Sequence, residues 1–577
     1  MKKLNGILSL VLCIVLMAFC FASCGKDKKK DTTTAVTGTN NPDGSATSAT
    51  QAPATTTSKW EQIAAEVNGI GSASRTFKIM MDNYTNPERI AANKKYIQGP
   101  DEIQEGQTSA IEQMVYERNR DAEALLGVHV EYDLSDWGWD QQSGKIVEAV
   151  QGNAADAPDL YVEMVFDLNI AMKTQGVFRD IKSLPGSYFD FNAKGWMKDW
   201  MESYSFTGDR MYVLASDYFL DILRAMGVLP FNMDLMDENS AKLASAILPE
   251  GETLGDGENL SERFFDFVEL GGWTWEALGK LCEAIWVDTD NSGTNTIGDT
   301  LGIVTDRYSG MPAALILFST GEELTETGPI EDPNDPNYGK QWITLKEDAT
   351  TVGKIFDAVK GVFGGKGAYV TCDTTSSGST VDNPGIAYHQ IKFSENTLLF
   401  AGPSLLGALE NDTFQQMTSI YSVVPLPKVT AANKYNTIVH NTADVGAINV
   451  NTDPVKARVI SAYLQYCTEN SREIRNEFLE IVTKYRTTTY NQGTDRMLTL
   501  IYESLTNARD KGIEDASMRK SGARFHGKMK DNAFVWGSAE VISWYEGERA
   551  SKQAKIDELM EIWYNLPVVE GEETPAE

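Results

Sequence analysis

Between residues 77 and 162, the apolar and polar residues alternate between short strand-like runs and the spacing of helical faces. A short apolar run at 77–81 predicts a strand, and the segment after it carries its apolar residues on one helical face. Two more strands are predicted at 129–132 and 158–162, with a helix from Ser143 to Val150 between them. Alternating strands and helices are typical of a parallel sheet covered on both faces. The sequence therefore predicts an α/β body from about Lys59 to Leu566.

Helix start signals continue this pattern in the rest of the chain. Asp453 can cap a helix that has Pro454 at its first position, where proline is well tolerated. Thr274 can cap a helix that begins at Trp275. Trp275 then falls on the apolar face of that helix, and we predict that both Trp273 and Trp275 belong to the core. The alternative is a stacking surface for a ligand.

The first 24 residues have the pattern of an export signal. A basic start precedes an apolar run from Ile7 to Phe21, which is shorter than the roughly 20 residues that span a membrane. Two small residues precede Cys24, as cleavage enzymes require, so we predict that Cys24 is the first residue of the mature chain. The stretch from Thr32 to Ser58 is rich in Thr, Ala, Ser and Gly and predicts a flexible tether.

The charge of the chain argues against nucleic acid as a partner. The formal net charge is −31, and loss of the two lysines of the leader would make it −33. Such a chain repels phosphate backbones. The lysines between 26 and 30 form a basic cluster that suits a membrane surface. Of the cysteines in the exported body, Cys282, Cys372 and Cys467, we predict free and inert thiols rather than a disulfide framework.

Several segments, in order along the chain, resemble those of family 1 extracellular solute-binding proteins of ABC importers. The segments are Ala157–Leu160, Gly176–Ile181, Leu229–Leu235, Gly271–Leu278 running into Asp288–Gly293, and Val424–Pro427. One departure is Ser404 after Gly402 and Pro403, where sugar-binding relatives often carry a tryptophan. In addition, Phe21–Cys24 is similar to the lipobox of bacterial lipoproteins, with Phe21 in place of the usual leucine. This similarity implies a lipid on the Cys24 sulfur, and the alternative is a plain secretory peptide.

The resemblance implies a two-lobed, periplasmic-binding-protein-like clamshell of α/β class, with mixed sheets flanked by helices and a cleft between the lobes. The implied divisions are a lipoprotein signal at 1–23, a lipid-anchored linker at 24–59, an N-terminal lobe of 60–217 with 396–445, and a C-terminal lobe of 218–395 with 446–577. Crossings between lobes are expected near Tyr212–Leu220, Leu398–Ser404 and His440–Ala447. Ligands of open α/β sheets bind beyond the carboxyl ends of strands.

Acidic and aromatic residues near the predicted strand ends and crossings are candidate ligand contacts. Neutral sugars need carboxylate or amide acceptors for their hydroxyls and flat aromatic faces for their C–H patches. The candidates are Asp82, Tyr84, Glu163, Phe166, Asp217, Tyr218, Ser404, His440, Asp444 and Trp536. For each of them the alternative is an ordinary turn or core residue.

The segment from Asp288 to Asp299 has the spacing of an EF-hand loop. Its oxygen-bearing candidates for a structural Ca²⁺ are Asp288, Asp290, Ser292, Thr294, Thr296 and Asp299. Position 12 is the shorter Asp299 rather than glutamate, and no exiting helix is predicted. A turn rich in Asp and Asn without metal is therefore the alternative. No other cofactor is expected.

Enzyme motifs are missing from the sequence. It contains no His-Glu-x-x-His, Walker or dinucleotide-binding pattern, and its four histidines, His129, His389, His440 and His526, are scattered. We predict a non-enzymatic, monomeric, lipid-anchored receptor on the outer face of the cell membrane. Its expected role is to pass a solute, chiefly a carbohydrate, to an ABC permease. One alternative is a surface polysaccharide-binding protein without a transporter. The other is a secreted glycoside hydrolase, because the two catalytic carboxylates of such an enzyme come together in space and need not form a sequence motif.

Overall fold

Strands and helices alternate through the part of the chain that the structure describes. The computed structural model describes residues 58–82, 93–135, 137, 141–154, 156–174, 176–307, 310–371, 388–484, 492–518, 524–532 and 537–566, which all lie in one compact unit, Ser58–Glu577. The strands are β1 Thr76–Met81, β2 His129–Leu134, β3 Leu160–Met164, β4 Gly227–Asn232, β5 Leu301–Asp306, β6 Thr325–Pro329, β7 Gln341–Leu345, β8 Ala368–Thr371, β9 Leu398–Phe400, β10 Ser404–Leu405, β11 Tyr421–Val424 and β12 Asp444–Ile448.

The helices connect and cover these strands. They are α1 Lys59–Asn68, α2 Ala110–Leu126, α3 Gln142–Gln151, α4 Val165–Met172, α5 Lys198–Ser203, α6 Asp221–Arg224, α7 Met233–Glu238, α8 Ser240–Ile247, α9 Leu260–Glu269, α10 Trp275–Ile285, α11 Gly310–Phe318, α12 Thr350–Phe363, α13 Tyr388–Ser394, α14 Asp412–Gln415, α15 Pro454–Glu469, α16 Arg472–Lys484, α17 Gln492–Glu503, α18 Arg509–Met518, α19 Phe525–Asn532 and α20 Ser538–Tyr564. Shorter turns of 3₁₀ or π type cover Ser72–Arg75, Lys94–Gln98 and Leu406–Glu410.

The first sheet has four strands in the order β12-β3-β1-β2. β1 pairs in parallel with β2 and β3, and β12 pairs antiparallel with β3, with Asp444 opposite Met164. The buried faces of β1 and β3 match the apolar runs in the sequence, so the predicted strand-helix-strand unit is confirmed.

Local capping explains where several helices begin. The side chain of Ser109 accepts a hydrogen bond from the N–H of Glu112, whose carboxylate accepts from the N–H of Ser109 in return. The carboxylate of Asp453 accepts from the backbone of the first turn of α15, with Pro454 at the first position. The predicted caps at Asp453 and Thr274 are both confirmed.

The second sheet has six strands, in the order β10-β4-β9-β5-β8, with β11 also paired to β4. β5 pairs in parallel with β8 and β9, whereas β4 runs antiparallel to β9. Gly402 follows β9 with φ of +79°, and a Cβ there would lie 2.2 Å from the carbonyl oxygen of Val304. Only glycine fits this close approach to β5. The predicted α/β class with mixed sheets flanked by helices is confirmed.

The two sheets do not take their strands from the segments that the expected lobe boundaries assigned to each lobe. β9, β10 and β11 all belong to the second sheet, so the chain from 398 to 424 stays on one side. β12 belongs to the first sheet, and α15 packs on β1 and α2 of that sheet. The reason is hydrogen bonding between strands far apart in sequence, which local patterns do not encode.

The core of the second sheet contains the two tryptophans of the Gly-Gly-Trp-Thr-Trp segment. Trp273 is 0% and Trp275 is 1% exposed, as predicted for core residues. The indole N–H of Trp273 donates to the carbonyl of Pro425 at 2.8 Å, and its ring stacks on Phe400 with centroids 5.3 Å apart. The segment that contains Trp273 is therefore joined by a hydrogen bond to the segment that contains Pro425.

The cysteine prediction is confirmed where the structure describes it. Cys282 and Cys467 are buried and free. Burial raises the pKa of the Cys467 thiol to about 11, which leaves it uncharged and unreactive at neutral pH. Cys372 lies outside the described residues. Among the described helices, none has the length and apolar character needed to cross a membrane.

We expect Trp273→Ala to lower the free energy of unfolding by about 3 to 5 kcal/mol, because it removes a fully buried ring and leaves a cavity. Chemical denaturation of the purified chain measures this loss. Leu270→Ala is the control, since Leu270 is 88% exposed and its loss should cost less than about 0.5 kcal/mol. Equal stability of the two variants would contradict the assignment of Trp273 to the core.

Candidate functional site

The carboxyl ends of the strands in both sheets point toward one region. β12 begins at Asp444 antiparallel to β3, so β3 and its parallel neighbours β1 and β2 end beside Asp444. β4 begins at Gly227 and runs antiparallel to β9, so β9, β5 and β8 run toward the edge of the sheet at which β4 begins. The N–H of Gly227 donates to the carbonyl of Ile438, which shortly precedes Asp444. Both carboxyl edges therefore face the same short stretch of chain.

Two described segments, 217–226 and 425–443, connect the sheets at this place. They pair with each other, since Met226 forms an antiparallel bridge with Val439 and the N–H of His440 donates to the carbonyl of Ala225 at 2.9 Å. A short paired connection of this kind can act as a hinge between two bodies. A further connection, between α16 and α17, lies outside the described residues.

The two faces of the first sheet carry different helices. The chain moves from β1 to β2 through α2 and then back across β1 to β3 through α3, and right-handed crossovers place these helices on opposite faces. α15 and α16 pack on α2, whereas α4 packs on α3. The space beyond the carboxyl edge accordingly has an α2 side and an α3 side.

Three of the predicted contacts lie together at the carboxyl edge of the first sheet. Asp82 follows β1, and its N–H donates to the carbonyl of Val162 in β3 at 2.9 Å. Glu163 is fully buried on β3. Phe166, 2% exposed, is the second residue of α4, and its N–H donates to the carbonyl of Asn441. Phe77 of β1 packs on α15, and strand alternation then directs Glu163 to the opposite face, the α3 side.

Helix α18 lies between the two carboxyl edges. It packs on α4, which directly follows β3, and on α11, which follows β5. The side-chain amide of Asn441, in the hinge segment, donates to the carboxylate of Asp515 at 2.8 Å. α18 therefore contacts a helix that follows the first sheet, a helix that follows β5 of the second sheet, and Asn441 of the hinge.

α18 is buried although it is rich in charged residues. Lys511 is 2%, Glu514 0% and Asp515 1% exposed. The ammonium of Lys511 forms an ion pair with Asp515 one turn later, and the carboxylate of Glu514 accepts from both the backbone N–H and Nδ1 of His526 in α19. Burial alone would raise the pKa of Glu514, but His526 and then Lys511 outweigh it and lower this pKa.

Sequence reasoning missed these residues. Lys511, Glu514 and Asp515 have the spacing of one helical face, which is normally a solvated face when it is charged. His526 seemed isolated because its partner Glu514 lies on a different helix. The sequence offers one signal for these residues, the helical spacing of three charged side chains, and it becomes informative only when the helix is found to be buried.

An open cavity of about 1380 Å³ lies on the α2 side. One wall comes from the loop 191–197, the end of α15 and helix α16, and the other from α17, which packs on α9 and β11 of the second sheet. Asp217, Arg475 and Tyr502 line it, together with Phe191 and the buried Trp196. The cavity thus lies between elements of both sheets, across the hinge from α18.

Asp217 links the two walls of this cavity. Its carboxylate accepts from Nη1 of Arg475 at 2.9 Å and from the hydroxyl of Tyr502 at 3.0 Å. Burial raises the pKa of Asp217 to about 6, against the lowering influence of Arg475, so the group is ionised at neutral pH. Because both oxygens already accept hydrogen bonds, direct contact of Asp217 with a solute stays a prediction.

The remaining predicted contacts occupy varied surroundings. Tyr218 is fully buried in the packing between α2 and α15, with the guanidinium of Arg118 4.6 Å from its ring centroid. Ser404 donates to the carbonyl of Gly402 within the second sheet. His440 and Asp444 are in or next to the hinge segment: Nδ1 of His440 lies 2.8 Å from the hydroxyl of Thr442, and the N–H of Asp444 donates to Asp221. Tyr84 and Trp536 lie outside the described residues.

The Asp288–Asp299 segment forms a compact loop before β5. Carboxylate oxygens of Asp288, Asp290 and Asp299 all lie within 4.8 Å of one another. The N–H of Ser292 donates to both Asp288 and Asp290. Hydrogen bonding by the side chain of Ser292, and then by its N–H, lowers the pKa of Asp290. The hydroxyl of Thr296 donates to Asp290 as well, and that of Ser292 lies 3.2 Å from the hydroxyl of Thr294. The loop therefore gathers hard oxygen donors at one point.

Comparison with known proteins finds similar structures at low sequence identity. No protein-family model matches the sequence, and no curated protein matches it. The GacH receptor of Streptomyces glaucescens, solved unliganded and with acarbose, is 12% identical over 85% of this chain and 99% of its own, with a TM-score of 0.41. The maltose/maltodextrin-binding domain MalE from Bdellovibrio bacteriovorus, bound to maltotriose, is 12% identical over 84% of this chain and 100% of its own, with a TM-score of 0.40.

A third similar structure belongs to a named transporter system. The galacto-N-biose/lacto-N-biose I-binding protein of the ABC transporter from Bifidobacterium longum, in complex with lacto-N-biose, is 12% identical over 84% of this chain and 97% of its own, with a TM-score of 0.40. All three are receptors or binding proteins by name.

Proposed function

We propose that the protein is a receptor that holds a carbohydrate between the carboxyl edges of its two sheets, on the α3 side of the hinge. The observation that carries this proposal is that both edges face one paired hinge and collect buried polar side chains there. Asp82 and Glu163 line the first edge, and α18 crosses between the edges.

The chemistry of this region suits a polyhydroxylated solute. Carboxylates such as those of Asp82 and Glu163 accept hydrogen bonds from hydroxyl groups, and Phe166 supplies an apolar surface nearby. A solute that touches both edges favours the closed arrangement, because only contacts that differ between two states shift their populations. Binding of the solute between the two carboxyl edges, the region called the seam below, therefore favours closure of the two sheets around it.

The proposal extends to delivery and attachment. The motif order supports a role beside an ABC permease, and the Phe21–Cys24 segment supports a lipid anchor at Cys24. The anchor would hold the monomeric receptor at the outer face of the cell membrane, and the tether up to Ser58 would give the folded body reach. A single lipid chain binds membranes weakly, so more than one acyl chain or the nearby lysines must contribute.

We also propose a structural Ca²⁺ in the Asp288–Asp299 loop. Calcium–oxygen distances are about 2.4 Å, so two ligands on opposite sides of an ion lie about 4.8 Å apart. The carboxylate oxygens of Asp288, Asp290 and Asp299 meet this limit. Ser292, Thr294 and Thr296 would add neutral oxygens.

We expect thermal-shift and calorimetric screening of the mature chain against maltotriose, cellotriose, xylotriose and mannotriose to identify a carbohydrate ligand. Glu163→Gln should weaken its binding tenfold or more, about 1.4 kcal/mol, since the amide loses the charged acceptor. Asp217→Asn is the matched variant on the other side of the hinge and should weaken binding less. Loss only in Asp217→Asn would place the solute in the Asp217 cavity, and release of shorter sugars would indicate a glycoside hydrolase.

We expect Cys24→Ala to abolish lipid attachment. In a bacterial host that processes lipoproteins, the unaltered chain should partition with membranes and incorporate labelled fatty acid. The variant should lose the label and leave the membrane fraction. Retention of the label in Cys24→Ala would show that the lipid, if any, is carried elsewhere.

We expect Ca²⁺ to raise the melting temperature of the chain and to produce a binding isotherm in calorimetry. Asp290→Asn should weaken that binding at least tenfold, because it removes one of the three converging carboxylates. Asp335→Asn, in the acidic loop before β7, is the control and should bind Ca²⁺ as the unaltered chain does. Absence of both a calcium heat and an effect of EGTA on melting would contradict the site.

A further inference from the structure

His526 occupies an unusual position at the carboxyl edge of the second sheet. It lies in α19, which packs on α11 beyond the end of β5. A Cβ built on Gly310, the first residue of α11, would lie 3.3 Å from Nε2 of His526. Gly310 is half-buried, so the imidazole edge faces a partly open position. Nε2 is therefore directed at the start of α11, across α18 from the first sheet.

The orientation of the imidazole is fixed by one carboxylate. Glu514 accepts from the backbone N–H of His526 at 3.0 Å with one oxygen and pairs with Nδ1 through the other. Glu514 is 0% exposed and cannot exchange these contacts for water. Because the ionised carboxylate is an acceptor only, Nδ1 donates to Glu514, and Nε2 is the ring nitrogen that remains for another hydrogen bond.

The other ring nitrogen has no hydrogen-bond partner among the described residues. The side chain of His526 is only 8% exposed, yet no hydrogen bond joins Nε2 to any other described residue. A side chain at position 310 would cover this nitrogen. The missing Cβ keeps Nε2 accessible.

We propose that Nε2 of His526 forms a hydrogen bond with a hydroxyl group of the bound carbohydrate, and that Glu514 is the positioning residue that presents it. This inference rests on the proposed function, since it places the solute against the second sheet as well as against Glu163 of the first. A solute held from both sides has the contacts that closure requires. A ring nitrogen held in one orientation also selects among sugars by the position of one hydroxyl, because a sugar whose hydroxyl lies elsewhere cannot form this hydrogen bond.

The test compares two glycine substitutions, measured by calorimetry with the trisaccharides maltotriose, cellotriose, xylotriose and mannotriose. Gly310→Ala adds a methyl group in front of Nε2 and should weaken binding tenfold or more. Gly527→Ala is the matched control next to His526, where a Cβ meets only Cβ of Arg524 at 3.9 Å, and should bind within twofold of the unaltered chain. His526→Ala should lose at least as much affinity as Gly310→Ala.

A spectroscopic readout separates contact from structural support. With four histidines in the chain, the imidazole resonances can be resolved by NMR and assigned by single substitutions. A saturating trisaccharide should shift the His526 resonance and leave that of His129, whose side chain is 69% exposed, unchanged. Glu514→Gln should fold and should weaken binding, because it releases the ring from its fixed orientation.

The outcomes distinguish the two proposals. If no trisaccharide binds the unaltered chain, the proposed function fails and this inference falls with it. If a trisaccharide binds but Gly310→Ala and His526→Ala bind it equally well, or the His526 resonance does not move, only the role of His526 is overturned. If His526→Ala does not fold, Gly310→Ala and the resonance shift still decide the question.

Discussion

The antiparallel start of β12 against β3 is the constraint on which the arrangement of the site depends. Because Asp444 begins β12 opposite Met164 at the end of β3, the chain must enter the first sheet at its carboxyl edge. The same segment has just paired with Met226, where the other connection leads into β4 of the second sheet. Both sheets are therefore entered from their carboxyl edges, and these edges have to face one another. Strand direction therefore brings both carboxyl edges to the same short stretch of chain.

The hinge is fixed at its second-sheet end by the aromatic core. Trp273 donates from its indole to the carbonyl of Pro425, where the segment 425–443 begins, and the N–H of Lys428 donates to the carbonyl of Trp273. The first turn of α10 is tied to the same place, since the N–H of Trp275 donates to the carbonyl of Lys428. The tryptophan segment thus positions the point from which the connecting chain departs.

The seam between the edges is polar, in contrast to the core of either sheet. α18 buries Lys511, Glu514 and Asp515 with partners inside the protein. Replacing such pairs by apolar residues often leaves stability unchanged or improved, so their presence is weak evidence for stability. These polar pairs instead give the region between the two edges a different character from the apolar core of either sheet. This contrast is the physical reason for placing function at the seam.

The sequence by itself determined the local elements of this protein, because helix and strand periods, caps and apolar faces depend on neighbouring residues. Strands β1 to β3, the caps of α10 and α15, and the burial of Trp273 and Trp275 all follow from such patterns. Only the tertiary structure decided which sheet β9 and β12 join, and that Glu163 and Asp217 lie on different sides of the hinge. It also decided that the charged helix α18 is buried and that Glu514 meets His526. These outcomes depend on pairing and packing between segments far apart in the chain, and no local period carries that information.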